Sequence, residues 1–172
     1  MKTPDLSAIK LVGFDVDGVL TNGGITIQDD GQESKRFYSR DGLGLSILAR
    51  SGLETVIITG RQSRVVEIRA RDLGITEVHQ QVKDKWPVFE TILKQRGLEP
   101  GQAAFAGDDL IDLPILRRVG LALAPADACP EVLAAAHFVS SARAGQGAVR
   151  QMVEFILKGQ GRWAEVLSHY QS

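Results

Sequence analysis

The chain has one cysteine, Cys129, in 172 residues. A single thiol excludes an intramolecular disulfide and a cysteine-based zinc site. Cys129 reads as a small, semi-buried apolar residue and not as a reactive group. The histidines His79, His137 and His169 are scattered without metal-ligand spacing and read as structural or exposed. No apolar run approaches the roughly 20 residues of a membrane span. The N-terminus has no long apolar segment of the signal-peptide kind, so the cytoplasm is the expected compartment. The net charge of −1 supplies no positive excess for nucleic acid or an anionic membrane. Internal repeats, low-complexity tracts and linkers are also missing, which predicts one domain over 1–172.

What remains is a composition of 44% apolar and 24% charged residues, ordinary for a soluble domain with a sizeable core. Short β-rich runs alternate with helical periods. Buried strands are predicted at 10–15, 55–59, 103–106 and 121–123, with shorter ones at 77–81 and 138–139. Helices are predicted from Leu43 to Ser51, over 63–73, over 84–96 with Asp84 as N-cap, after Asp112 with Pro114 in the first turn, over 130–136, and around Val149, Val153 and Ile156. Asp30-Gly31 between 24–28 and 33–37 signals a hairpin, making 22–38 the one insertion. Residues 158–172 show no clear stop or period and read as a mobile tail. Strands alternating with helices predict an α/β fold: a three-layer, Rossmann-like parallel sheet with helices on both faces, a short β-hairpin insertion and no cap domain.

In such sheets ligands bind beyond the carboxyl ends of the strands. Here those ends carry Asp15, Thr59 and Asp108, with Asp17, Asp109 and Asp112 close in sequence. An oxygen-rich set suits Mg²⁺, which relieves repulsion among clustered carboxylates. Alone, Gly107-Asp108-Asp109-x-x-Asp112 also describes a turn and a capped helix; Asp15-x-Asp17 in the same chain favours the site. Asp15 as nucleophile forms an aspartyl-phosphate. Asp17 protonates the leaving alkoxide and then deprotonates the hydrolytic water. Thr59 offers a hydroxyl to a phosphoryl oxygen, and Lys83 or Lys85 can reach inward to offset negative charge. Arg40, Arg61 and Arg69 can bind a substrate carboxylate, because a guanidinium fork matches that anion.

Asp15-x-Asp17-Gly18-Val19, Thr59-Gly60-Arg61, Lys85 and Gly107-Asp108-Asp109-x-x-Asp112 stand in the order found in haloacid-dehalogenase-like phosphatases, and residues 10–113 resemble that family. Leu20-Thr21, Arg40-Asp41-Gly42-Leu43-Gly44, Leu110-Ile111-Asp112-Leu113-Pro114 and Gly145-Gln146-Gly147-Ala148-Val149-Arg150 narrow the resemblance and extend it over nearly the whole chain. They point to the capless branch that hydrolyses the 8-phosphate of an eight-carbon 2-keto sugar acid for lipopolysaccharide precursor synthesis.

The resemblance implies that Asp15 is nucleophile and Mg²⁺ ligand, that Asp17 is acid/base and binds Mg²⁺ through its backbone carbonyl, and that Asp108 completes the metal site. It implies that Thr59 and Lys85 hold the phosphoryl group; the spacing to the last motif favours Lys85 over Lys83. Arg40, Asp41, Gly42, Gly60, Arg61, Arg69 and Ile111 are then expected around the substrate. A homotetramer is also implied, with the hairpin joining subunits and a neighbour's C-terminal segment closing the site. Ala144 and Gln151 depart from the tail of the family, which has glycine and glutamate there, and Ile111 stands where many relatives are polar. The rivals are a phosphatase of a related nine-carbon 2-keto sugar acid, a phosphoacceptor signalling domain and a non-catalytic scaffold.

Overall fold

A computed structural model describes residues 3–171; Met1, Lys2 and Ser172, the last residue of the expected tail, lie outside the described residues. Six strands form one parallel sheet: β1 (Leu11–Phe14), β4 (Glu54–Ile58), β5 (Glu77–His79), β6 (Ala103–Ala106), β7 (Leu121–Ala124) and β8 (Phe138–Val139), in the order β5-β4-β1-β6-β7-β8. Leu11 pairs with Glu54 on one side and Ala103 on the other, and Phe14 with Ile57 and Ala106. The alternation of side chains along each strand divides the core in two. Val12, Phe14, Ile57, Ala104 and Leu123 face α1 (Ser39–Arg50), α2 (Arg64–Asp72) and α6 (Ala148–Gly159). Leu11, Val56, Ile58, Phe105 and Ala122 face α3 (Lys85–Gln95), α4 (Leu113–Leu116) and α5 (Pro130–Ala135). Covered on both faces, β1, β6 and β7 are buried along their whole length, which is why they read as unbroken apolar runs. The expected three-layer α/β sheet is therefore the observed one.

The hairpin is present but spare. β2 (Thr26–Ile27) and β3 (Glu33–Ser34) pair antiparallel, and a bridge from Thr21 to Phe37 ties its base. Gly31, with φ +82°, makes the turn that Asp30-Gly31 signalled.

Three local readings are corrected. First, α1 begins at Ser39, four residues before the predicted Leu43, so Arg40, Asp41 and Gly42 lie in its first turn. Second, Asp84 stands at the N-cap of α3 and Asp112 at that of α4, but neither side chain caps the helix that follows it; Asp112 instead closes the capping box of the 3-10 turn Leu110–Asp112. Third, the expected loose tail contains α7 (Trp163–His169), whose Trp163 and Val166 pack on the core. Two anchoring aromatic and aliphatic residues four or fewer apart give too little periodicity to be seen in so short a helix.

Candidate active site

Adjacent strands bring the site together. Asp15 follows β1, Thr59 follows β4, and Gly107-Asp108 follows β6. Asp15 extends the β1 ladder by donating its amide to the Ala106 carbonyl at 3.0 Å, and Thr59 does the same to the His79 carbonyl at 2.9 Å. Both are fixed by backbone before their side chains act, and both are buried. Beyond Asp15 the chain closes on itself: the Val16 carbonyl accepts from the amides of Val19, Leu20 and Thr21. Gly18 adopts φ +88°, and a Cβ there would lie 2.0 Å from Asp108 Oδ2. Only glycine allows the two motif loops this approach.

Lys85 is the hub. Its Nζ lies 2.8 Å from Asp15 Oδ1 and 2.7 Å from Asp112 Oδ1, and its side chain is only 1% exposed. Burial alone would lower the Lys85 ammonium, but Asp15 and Asp112 outweigh it and hold it above its usual value. Lys83 is exposed, so of the two candidates the fold brings in Lys85. Asp112 was read as a helix cap; its carboxylate instead turns back to accept from the amides of Asp108 and Asp109 at 3.0 and 3.4 Å, with Lys85 on its other oxygen. It joins the acidic loop to the buried cation. The sequence signal was its place four residues after Asp108.

One oxygen from each of Asp15, Asp108 and Asp112 lies within 4.8 Å of the others. Burial, then repulsion from Asp15, Asp112 and Asp109, pushes the Asp108 carboxyl up to about 8. Burial also raises Asp15 to about 6, despite Lys85. Asp108 Oδ1 is buried and accepts no hydrogen bond. One ammonium thus faces three carboxylates, and one carboxylate oxygen has no donor. This donor set fits a hard divalent cation bound by Asp15 and Asp108.

Asp17 points elsewhere. Its Oδ1 lies 2.5 Å from Lys35 Nζ, and its Oδ2 3.8 Å from Arg61 Nε. Glu33 meets the same two cations, Lys35 at 3.0 Å and Arg61 at 3.5 Å. Lys35 and Glu33 were not foreseen, because a charged residue on a hairpin ordinarily reads as solvated. Arg61 is where the Thr59-Gly60-Arg61 motif placed it, and Ile111 Cδ1 would lie 3.7 Å from a Cβ on Gly60.

The remaining expected residues are not gathered at the carboxylates. Asp41 is buried, and its oxygens accept from the backbone amides of Gly147 at 3.2 Å and Arg150 at 2.8 Å, at the start of α6. Burial pushes its carboxyl up, and those amides offset this only in part. Arg69 stacks its guanidinium 5.6 Å from the Phe37 ring centroid. Its Nη2 would stand 2.3 Å from a Cβ at Gly42, so glycine makes room for it. Arg40 is exposed in the first turn of α1.

Residues 62–152 match the family model of haloacid dehalogenase-like hydrolases. The chain is also 42% identical, over 90% of its length and 82% of the relative's, to the 3-deoxy-D-manno-octulosonate 8-phosphate phosphatase KdsC of Yersinia pestis. The chain belongs to the haloacid dehalogenase-like hydrolases. Among solved structures of this family, a probable YrbI family phosphatase from Pseudomonas syringae superposes with a TM-score of 0.96 at 44% identity, covering 98% of this chain and 96% of that one. The 3-deoxy-D-manno-octulosonate 8-phosphate phosphatase of Moraxella catarrhalis, solved with magnesium, phosphate and the sugar acid, gives 0.94 at 37% identity, covering 96% and 95%. The described residues form one six-stranded sheet and the two-stranded hairpin, and no described helix is long and apolar enough to cross a membrane.

Proposed function

We propose that this chain is a Mg²⁺-dependent phosphomonoesterase that hydrolyses 3-deoxy-D-manno-octulosonate 8-phosphate to the free sugar acid and phosphate. The observation that carries the reading is the gathering of Asp15, Asp108 and Asp112 about buried Lys85, with Asp17 two residues beyond Asp15. The likeness to named phosphatases of that substrate supports the choice of sugar acid.

The chemistry follows from positions. An Asp15 oxygen attacks phosphorus, and the bond from phosphorus to the sugar oxygen breaks as the aspartyl-phosphate forms. Asp17 gives a proton to the departing alkoxide, then takes one from the water that attacks the aspartyl-phosphate and restores Asp15. Lys85 and Thr59 hold phosphoryl oxygens. Asp15, Asp108 and the Asp17 carbonyl would hold Mg²⁺, whose positive charge would offset repulsion between carboxylates and phosphate. Arg61, with Gly60 and Ile111 beside it, faces the sugar acid; Arg40 and Arg69 are assigned to its rim.

Phosphate release across a panel of sugar phosphates, with and without Mg²⁺, tests this. The eight-carbon acid should be preferred over its nine-carbon analogue and over neutral sugar phosphates. Equal rates on all of them overturn a dedicated sugar-acid enzyme. We also place the protein in the cytoplasm as a homotetramer acting in lipopolysaccharide precursor synthesis. Light scattering should then report four times the 18.6 kDa chain mass.

A further inference from the structure

We propose that Lys35, on the return arm of the hairpin, is a positioning residue for the proton-transfer carboxylate Asp17, which makes the hairpin part of the chemical apparatus of its own chain. The inference rests on the phosphatase reading above and concerns what aims Asp17 within it.

Four charges alternate around a closed ring. Asp17 meets Lys35 and Arg61, and Glu33 meets the same pair. The contributors come from three separate segments: the loop after β1, the hairpin, and the loop after β4. They are unequal. The Arg61 contact to Asp17 is 3.8 Å long from a side chain 45% exposed, a geometry worth little in water. The Lys35 contact is 2.5 Å long from a side chain 0% exposed. Among the described residues, Lys35 is the one side chain that donates a hydrogen bond to Asp17. A buried ammonium is costly unless paired, so the ring must close wherever the hairpin folds. Glu33, two residues before Lys35 on the same arm, forms an ion pair with the ammonium at 3.0 Å without a hydrogen bond. Asp17 is therefore aimed by the hairpin, not by its own loop alone. Proton transfer demands hydrogen-bond reach, and small misplacements are expensive in rate.

The test uses the full chain with Mg²⁺ and two esters, an alkyl sugar-acid phosphate and p-nitrophenyl phosphate. The aryl leaving group departs with little help from a proton. Lys35→Met should lower kcat/KM, which reports only the steps through aspartyl-phosphate formation, by about 100-fold on the alkyl ester without raising its KM, and by less than about fivefold on the aryl ester. Lys35→Arg should recover part of the alkyl rate. Glu33→Gln should show the same split in weaker form, and carries the test if Lys35→Met does not fold. Equal losses of kcat/KM on both esters overturn the inference, as does a rise in KM at constant kcat, which would make Lys35 a substrate contact. A wild-type protein inactive on both esters overturns the phosphatase reading and the inference together; the variant ratios in an active protein judge the inference alone.

Discussion

Lys85 Nζ stands 2.7 Å from Asp112 Oδ1, with both side chains sealed from solvent at 1% and 0% exposure. The same ammonium neutralises Asp15. Removing it leaves buried carboxylates facing one another with no cation. Lys85→Met should therefore cost about 3–5 kcal/mol in the metal-free protein, the usual penalty for stripping one member from a buried ion pair. Urea denaturation checks this, and a loss under about 1 kcal/mol would put Lys85 among ordinary surface pairs. Phosphate release should vanish as well.

The raised carboxyls make a sign that can be measured. Asp108 and Asp15 are pushed up to about 8 and about 6 from the ordinary carboxylate value of 3.8. Between the unfolded and folded values the native state holds more protons than the unfolded state, so stability falls as pH rises through that window. The loss runs from about pH 4 to about pH 8. Thermal melts in chelator should show it as a difference between wild type and Asp108→Asn, which lacks the main contributor. Added Mg²⁺ favours the ionised carboxylates, so its stabilisation should grow with pH and be absent in Asp108→Asn. A magnesium effect independent of pH would sink the argument.

Asp41 joins two motifs that lie far apart in the chain, because its carboxylate receives the Gly147 and Arg150 amides. It satisfies donors that the start of α6 would otherwise leave buried. Asp41→Ala should destabilise the fold by about 1–3 kcal/mol, the cost of orphaned buried donors. KM for the sugar-acid phosphate should stay near the wild-type value at temperatures where the variant is folded. A raised KM in a protein of unchanged melting temperature would instead return Asp41 to the substrate.

The strand ends were legible because they use chemistry that strands rarely tolerate. Asp15, Thr59 and Asp108 each interrupt an apolar run, and the parallel pattern then dictates that they meet. Asp112 was visible as a helix cap and as a member of the acidic set; its turn back toward Lys85 is tertiary, set by where α3 packs. Lys35 and Glu33 were hidden for a related reason. A short hairpin of charged residues looks solvated until the loops after β1 and β4 supply its partners. Asp41 carried a motif but not its target, since nothing local says that α6 begins beside α1.

Glycine 18 offers the sharpest control on the metal site. Gly18→Ala places a Cβ where Asp108 Oδ2 now lies, 2.0 Å away, and asks alanine to adopt φ +88°. Gly31→Ala, on the hairpin turn, meets a comparable φ of +82° with nothing within 4 Å. The backbone penalty of about 1 kcal/mol is common to both. The displacement of Asp108 belongs to Gly18 alone, and within the Asp15, Asp108 and Asp112 cluster Asp108 is the carboxylate with a buried oxygen that has no donor. Calorimetric titration with Mg²⁺ should show at least a tenfold loss of affinity for Gly18→Ala, about 1.4 kcal/mol, and none for Gly31→Ala. Equal affinities in the two variants would mean that Asp108 does not hold the cation, and the assignment of the metal site would have to move.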